Sequence, residues 1–274
     1  QDVFDKYDLM NDLMSLGIHR LWKKNFIHWL NPQKNTKLID VASGTGDIAK
    51  LYLDKTNYKG SVCCVDENKA MLDLNKNKFK VNDNVKWFCN SAEKLPFKKN
   101  FFDFICSDQV LHHTKNTKTS FKYLTKFLKK DGIISIYVYR KKGPLREFAD
   151  DHIRESTVKM TEKQCMEFSK SMALLGKNLS QLKKKITITE DIPLLKIKAG
   201  TYDVQRFLYW NFLKCWWSPD VPFDQSVATN YDWYFPKFAY RHSEKEVRKW
   251  FKDVKLKIVH FNEIESGFSV NGKK

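Results

Sequence analysis

Side chains able to do chemistry gather in a few short strings of this chain. Asp40 is followed by Val41-Ala42-Ser43-Gly44-Thr45-Gly46, an acidic residue leading into a turn with two residues that lack Cβ. Gly44 and Gly46 allow positive φ and let a ligand lie against the backbone. Ile48, Leu51 and Tyr52 then recur at helical spacing, so free N–H groups and a positive dipole end would face that ligand. Asp66 lies 20 residues after Gly46 and ends an apolar run, where a carboxylate can accept both hydroxyls of a ribose. A pyrophosphate fits poorly. The dinucleotide turn needs G-x-G-x-x-G, of which only Gly44-x-Gly46 stands here, with Ala49 third, and the P-loop string is absent. Asp40 favours a cationic ligand instead. His112 and His113 carry the side chain that titrates near neutral pH, so either is a candidate base or acceptor-orienting group. Adjacent residues at a strand end point different ways, so at most one faces the ligand.

The elements that must position these groups follow a strand-then-helix rhythm. Leu38–Val41, Ser61–Val65, Val85–Cys89, Phe101–Ser107 and Ile133–Tyr139 read as buried strands. Alternation with helices predicts an α/β doubly wound sheet. Residues 3–30 read as helical. Thr117–Lys130 reads as an amphipathic helix through Phe121, Leu124, Phe127 and Leu128, stopped by Asp131-Gly132. Two strands, Lys255–Asn262 and Ser266–Lys274, close the chain as a hairpin, after a capping box formed by Ser243 and Glu246.

Residues 143–242 are longer than a link to a last helix requires. Thr161 and Gln164 form a capping box there. Cys165, Phe168, Met172, Leu175, Leu179, Leu182 and Ile186 read as a core-facing seam. Phe207, Tyr209, Trp210, Phe212, Trp216, Trp217 and the aromatics from Tyr231 to Tyr240 either fill a second core or line an acceptor pocket. Arg140 and Arg146 are placed by this reading at the pocket mouth, where they could pair with an acid group on the acceptor.

The string Asp40-x-Ala42-x-Gly44-x-Gly46 resembles the first motif of class I S-adenosylmethionine (SAM)-dependent methyltransferases, D/E-x-G-x-G-x-G, with Ala42 in place of the first Gly. Tyr7-Asp8-Leu9-Met10-Asn11, Met14, Ser15, His19 and Trp22 resemble the N-terminal signature of the ubiquinone/menaquinone biosynthesis C-methyltransferases. That resemblance covers about the first hundred residues and includes Asn90-Ser91-Ala92-Glu93-Lys94-Leu95-Pro96-Phe97. It implies a Rossmann-like sheet of order 3-2-1-4-5-7-6 and an N-terminal helical cap. It also implies SAM as cofactor, with S-adenosylhomocysteine as product. The implied cofactor contacts are Tyr7, Asp40, Ser43, Gly44, Gly46, Asp66, Ser91, Ala92 and Ser107, with Ser91 and Ala92 meeting the adenine.

Beyond the fourth strand the likeness changes. The quinone enzymes carry F-G-x-R-N, whereas this chain has Gln109-Val110-Leu111-His112-His113, which resembles the type-11 methyltransferases of small molecules. The N-P-P-Y of nucleobase amino-methyltransferases is absent, and Cys106 lacks the context of a cytosine-C5 nucleophile. The expected function is methyl transfer from SAM to a small-molecule acceptor, with His112, His113, Tyr139 and Arg140 as catalytic candidates. Quinone C-methylation is one alternative, and lipid or nucleic-acid methylation another.

Composition bounds these readings. The 274 residues are 42% hydrophobic, enough for a sizeable core, and no apolar run is long enough to span a membrane. The net charge of +17 comes from lysine, with only seven arginines among 49 basic residues. Phosphate and base reading favours Arg, so a nucleic-acid partner is not expected, while peripheral membrane contact stays open. Cys63, Cys64 and Cys106 fall in expected core strands and no C-x-x-C occurs, which suits reduced thiols in the cytoplasm and no metal site. The first residue is Gln1, which leaves a missing N-terminal segment open. The expected organisation is a cap over 1–30, a SAM-binding core over 31–142, an aromatic lid insertion over 143–242, and a last helix and hairpin over 243–274.

Overall fold

A computed structural model describes residues 18–80 and 84–274, the first five of them as backbone alone. The chain falls into two units, Ile18–Arg140 with Tyr240–Lys274, and Lys141–Ala239. Tyr7 and the string from Asp8 to Ser15 lie outside the described residues, as do the side chains of His19 and Trp22.

The first unit begins with α1 (Ile18–Leu30), β1 (Lys37–Val41), α2 (Asp47–Lys55), β2 (Ser61–Asp66), α3 (Lys69–Lys76) and β3 (Val85–Cys89). It continues with β4 (Phe102–Ser107), α4 (Thr117–Thr125) and β5 (Leu128–Tyr139). The second unit holds α5 (Pro144–Thr157), α6 (Glu162–Gln181), β6 (Lys185–Ile188), β7 (Gly200–Asp203), α7 (Val204–Asn211) and α8 (Phe223–Tyr234). The chain then returns to the first unit with α9 (Glu244–Asp253), β8 (Lys257–Glu263) and β9 (Gly267–Lys273).

Seven strands form one sheet in the order β3-β2-β1-β4-β5-β9-β8, the expected 3-2-1-4-5-7-6 once the separate β6–β7 hairpin is set aside. The strands β1 to β5 pair in parallel, and β9 runs antiparallel between β5 and β8. Period-two alternation sends neighbouring residues to opposite faces. Ile39, Val41, Ile105, Ile134 and Ile136 pack with Phe121 of α4 and with Trp250 and Phe251 of α9. Leu38, Val62, Phe104 and Cys106 pack on the other face with Phe26 and Leu30 of α1, Tyr52 and Leu53 of α2, and Leu72 of α3. Ser243 and Glu246 form the expected capping box of α9.

Two expectations about local structure are corrected. The helix expected over 117–130 ends at Thr125, and β5 starts at Leu128 rather than Ile133. Asp131, with φ 62°, sits in a register shift between the pairs Phe102↔Leu128 and Phe104↔Ile133, so Asp131-Gly132 bends a strand instead of stopping a helix. The seam expected along α6 is rotated. Its buried residues are Cys165, Ser169, Met172, Ala173 and Gly176, while Leu175 and Leu182 are exposed and Ile186 lies in β6. At Gly176 only glycine fits, because a Cβ there would come within 2.3 Å of the Cys215 carbonyl oxygen. The capping box of Thr161 and Gln164 does start that helix.

Arg146 is also corrected. Its side chain is only 1% exposed, its Nε donates to Asp150 Oδ2 at 2.8 Å, and its guanidinium stands over the Tyr209 and Trp233 rings. A fully buried arginine needs such a partner, which makes it a core member of the second unit and not a rim cation. Phe207, Tyr209, Trp233 and Tyr234 are buried in the same unit, so these aromatics fill its core.

Ala42 adopts φ 53° at the end of β1. The left-handed region costs an L-residue about 1–2 kcal/mol, and glycine gives back about 0.4–1 kcal/mol through its looser unfolded chain. Ala42→Gly is therefore expected to stabilise the protein by about 0.5–1 kcal/mol. Chemical denaturation checks this, and a lower unfolding midpoint with unchanged slope would contradict it.

Candidate active site

The carboxyl ends of β1, β2 and β4 lie side by side, with Asp40 paired in register between Cys64 and Cys106. After Val41 the chain turns sharply through Ala42, Gly44 at φ 50° and Gly46 at φ 80°. Ser43 N–H donates to the Val65 carbonyl at 3.0 Å, and Gly46 N–H to the Ser43 carbonyl at 2.9 Å. Gly44 N–H donates to Asp66 Oδ2 at 2.9 Å, while Asp66 Oδ1 accepts from Asn68 N–H at 2.9 Å. The turn after β1 and the acid ending β2 thus form one cradle. The helix cap before Met71 is Asn68, which accepts from Ala70 and Met71, and not Asp66.

Asn75 is a group that the sequence reading missed. It is buried, and its Nδ2 donates to Ser43 Oγ at 3.3 Å. A Cβ at Gly46 would meet its Oδ1 at 2.0 Å, so glycine is required there for space as well as for φ. A polar residue on the buried face of a short amphipathic helix, beside Met71 and Leu72, was the available signal. Gln109 takes φ 59° between β4 and the helical turn Leu111–His113.

Lys23 of α1 donates to Asp47 at 2.8 Å, and Lys78 to the same carboxylate at 3.0 Å. Burial opposes its ionisation, but the two ammonium groups hold Asp47 down at about 2. Asp40 is in the opposite condition. It is 3% exposed, its Oδ2 has no hydrogen-bond partner, and burial pushes its carboxyl up to about 7 against the pull of Lys23. An orphaned buried carboxyl oxygen of this kind suits a cationic ligand. Ser107, at the end of β4, is buried with an unpartnered Oγ.

Ser91 and Ala92 follow β3. Asn90 N–H donates to the Asp66 carbonyl at 3.1 Å, which ties this loop to the same strand end. Ser91 Oγ accepts from Glu93 N–H at 3.2 Å, and Ala92 packs against the core.

His112, His113 and Tyr139 form a second group. The His112 ring stacks on Tyr139 at 3.7 Å between centroids, with His113 at 4.3 Å from His112 and 5.7 Å from Tyr139. His112 is fully buried and neither ring nitrogen has a hydrogen-bond partner. Burial, with His113 and His242 nearby, holds it well below the usual histidine value, so it is neutral at pH 7. Tyr240 N–H donates to the His112 carbonyl and His242 N–H to the Tyr139 carbonyl, both at 2.9 Å. The Arg140 side chain turns to Glu263, with Nη1 to Oε1 at 2.7 Å. With Arg146 buried in the second unit and Arg140 paired with Glu263, these two arginines do not form the expected cationic rim.

Residues 1–149 match the ubiE/COQ5 methyltransferase family. The ubiquinone/menaquinone biosynthesis C-methyltransferase UbiE of Wigglesworthia glossinidia brevipalpis is 35% identical over 155 residues, covering 54% of this chain and 61% of that protein. The chain therefore spans less than two thirds of that relative's length. UbiE of Francisella philomiragia is 34% identical over 183 residues, covering 65% of this chain and 68% of its own. An S-adenosylmethionine dependent methyltransferase structure from Mesorhizobium loti shares the fold, with a TM-score of 0.55 at 11% identity over 91% of this chain and 96% of that one.

The raised value at Asp40 has a stability consequence. Its folded value of about 7 exceeds the ordinary 3.8, so between those limits the folded state holds a proton that the unfolded state releases. Stability then falls as pH rises through that window. Asp40→Asn removes the effect, and its gain over the wild type should grow from pH 5 to pH 8 by on the order of 3 kcal/mol. Thermal unfolding of both proteins at the two pH values checks this, and a difference independent of pH would contradict it.

Proposed function

The chain belongs to the ubiE/COQ5 methyltransferase family, and we propose that it transfers a methyl group from SAM to a small-molecule acceptor. One observation carries the reading: Asp66 Oδ2 accepts from Gly44 N–H, which fuses a glycine turn and a strand-end acid into one cradle. The carboxylate has lone pairs left over for two ribose hydroxyls. Gly44 and Gly46 keep the backbone open to the ligand, Ser43 and Ser107 offer hydroxyls, and Ser91 with Ala92 lies where an adenine edge would be read. Asp40, only partly ionised near pH 7 by itself, is drawn toward its charged form by a nearby sulfonium or ammonium.

The cofactor, when bound, supplies an electrophilic methyl on a positively charged sulfur. The remaining work of this chain is to place the acceptor, exclude water and accept a proton where the acceptor must lose one. His112 is suited to the last task, since it is neutral and stacked in place by Tyr139. His113 orients the pair from the more open side.

We further propose that residues 143–242 decide which acceptor is used. The support is that the family match ends at residue 149, and that the chain departs after Tyr139 and returns at His242, whose N–H donates to the Tyr139 carbonyl. A quinone-ring carbon is the second reading. The names of the UbiE relatives favour it, and the absence of F-G-x-R-N after β4 opposes it.

Asp66→Ala should weaken SAM binding by about 1.5–3 kcal/mol, the range for a hydrogen bond to a charged group. His112→Ala should leave SAM affinity intact and slow turnover by about 100-fold or more. Calorimetry with SAM, and transfer of labelled methyl to a small-molecule extract and to a desmethyl polyprenyl quinone, are the measurements. Unchanged SAM affinity in Asp66→Ala would overturn the cofactor assignment. Efficient labelling of the quinone by the wild type would replace the first acceptor reading with the second.

A further inference from the structure

The connection from β3 to β4, residues 90–101, contains no helix, so among the described residues one face of the sheet lacks a helical cover at the start of these strands. A cavity of about 530 Å³ opens there, lined by Lys37, Cys63, Lys86, Phe88, Phe97 and Phe101 among others. Lys37 is the first residue of β1, and Cys63 pairs in register with Lys86. The cavity therefore sits at the amino ends of the strands, whereas Asp40, Asp66 and Ser107 stand at the carboxyl ends. Its volume lies within the ordinary range of small-molecule sites.

Its walls combine aromatic surface with lysine side chains. Phe97 meets Phe88 edge-on at 4.8 Å and Phe102 at 5.0 Å, and Phe101 meets Phe102 at 5.0 Å. Phe88, Phe97 and Phe101 all keep exposed surface. The Lys37 Nζ lies 4.6 Å from the Phe101 ring centre, and Lys98 stands 5.6 Å from the same ring. Among the described residues no carboxylate lines the cavity, and neither Lys37 nor Lys86 has an ion-pair partner. The nearby Asp103 carboxylate is taken by Lys129 at 2.9 Å and by the Lys37 backbone N–H at 2.8 Å. Burial pushes the Cys63 thiol up to about 11, while Lys86 and Lys37 pull the other way, as ammonium groups beside the sulfur must.

We propose that this cavity is a second binding site, separate from the methyl-transfer site, for an aromatic organic anion whose ring packs on the phenylalanines and whose acidic group meets Lys37 and Lys86. Aromatic rings supply the apolar contact and the lysines select the charge. Cys63, in the floor, reports occupancy.

Naphthalene-1-sulfonate is the probe, with neutral 1-naphthalenemethanol as the control, on the full chain. Calorimetry should show saturable one-to-one binding of the sulfonate, and of the alcohol about tenfold weaker or less. Bound sulfonate should slow alkylation of Cys63 by N-ethylmaleimide, read by peptide mass spectrometry, while leaving exposed Cys89 unchanged. Lys86→Glu, at an exposed position, should abolish both effects, and Lys86→Arg should keep them. Saturating SAM should not displace the probe. No saturable binding, equal binding of the alcohol, retention of binding in Lys86→Glu, displacement by SAM, or burial of this face in a dimer of the free chain would each overturn the proposal.

Discussion

The bond from Gly44 N–H to Asp66 Oδ2 is the constraint on which the candidate site depends. It joins a turn made by β1 to an acid delivered by β2, two strands already held in register by parallel pairing. Its geometry requires Gly44 at φ 50° and Gly46 at φ 80°, with Asn75 filling the space that a side chain on Gly46 would need. The site is thus a local device mounted on a rigid sheet, as function on α/β folds commonly is.

The same region carries polar groups that folding alone does not satisfy. Asp40 Oδ2, Ser107 Oγ and both His112 nitrogens are buried without partners. Each such group costs free energy while it stays unpartnered. A ligand that brings cationic and hydrogen-bonding groups would relieve that cost on binding. Asp40 and His112 are both shifted by burial toward their neutral forms, in opposite directions, so neither carries full charge near pH 7.

Much of this was legible in the sequence because strand alternation and glycine turns are local signals. Leu38 to Val41, Ser61 to Val65 and Phe102 to Ser107 announce the sheet, and Asp40, Gly44, Gly46 and Asp66 announce the cradle. Long-range packing was not legible. Apolar spacing along α6 pointed to Leu175 and Leu182, but Ala173 and Gly176 are buried instead, with the Cys215 backbone lying close over Gly176. Arg146 looked available for a ligand because, beyond its local i,i+4 partner Asp150, nothing nearby in sequence reveals that Tyr209 and Trp233 enclose it. Asn75 was overlooked for the same reason, since its partner Ser43 is 32 residues away.

Hydrogen exchange of the full chain with and without SAM tests the central claim most directly. The account predicts slowed exchange of amides in residues 41–48, 66–71 and 90–93, the three segments that form the cradle and its adjoining loop. Exchange unchanged in those segments at saturating SAM, or slowed only within residues 141–239, would contradict it.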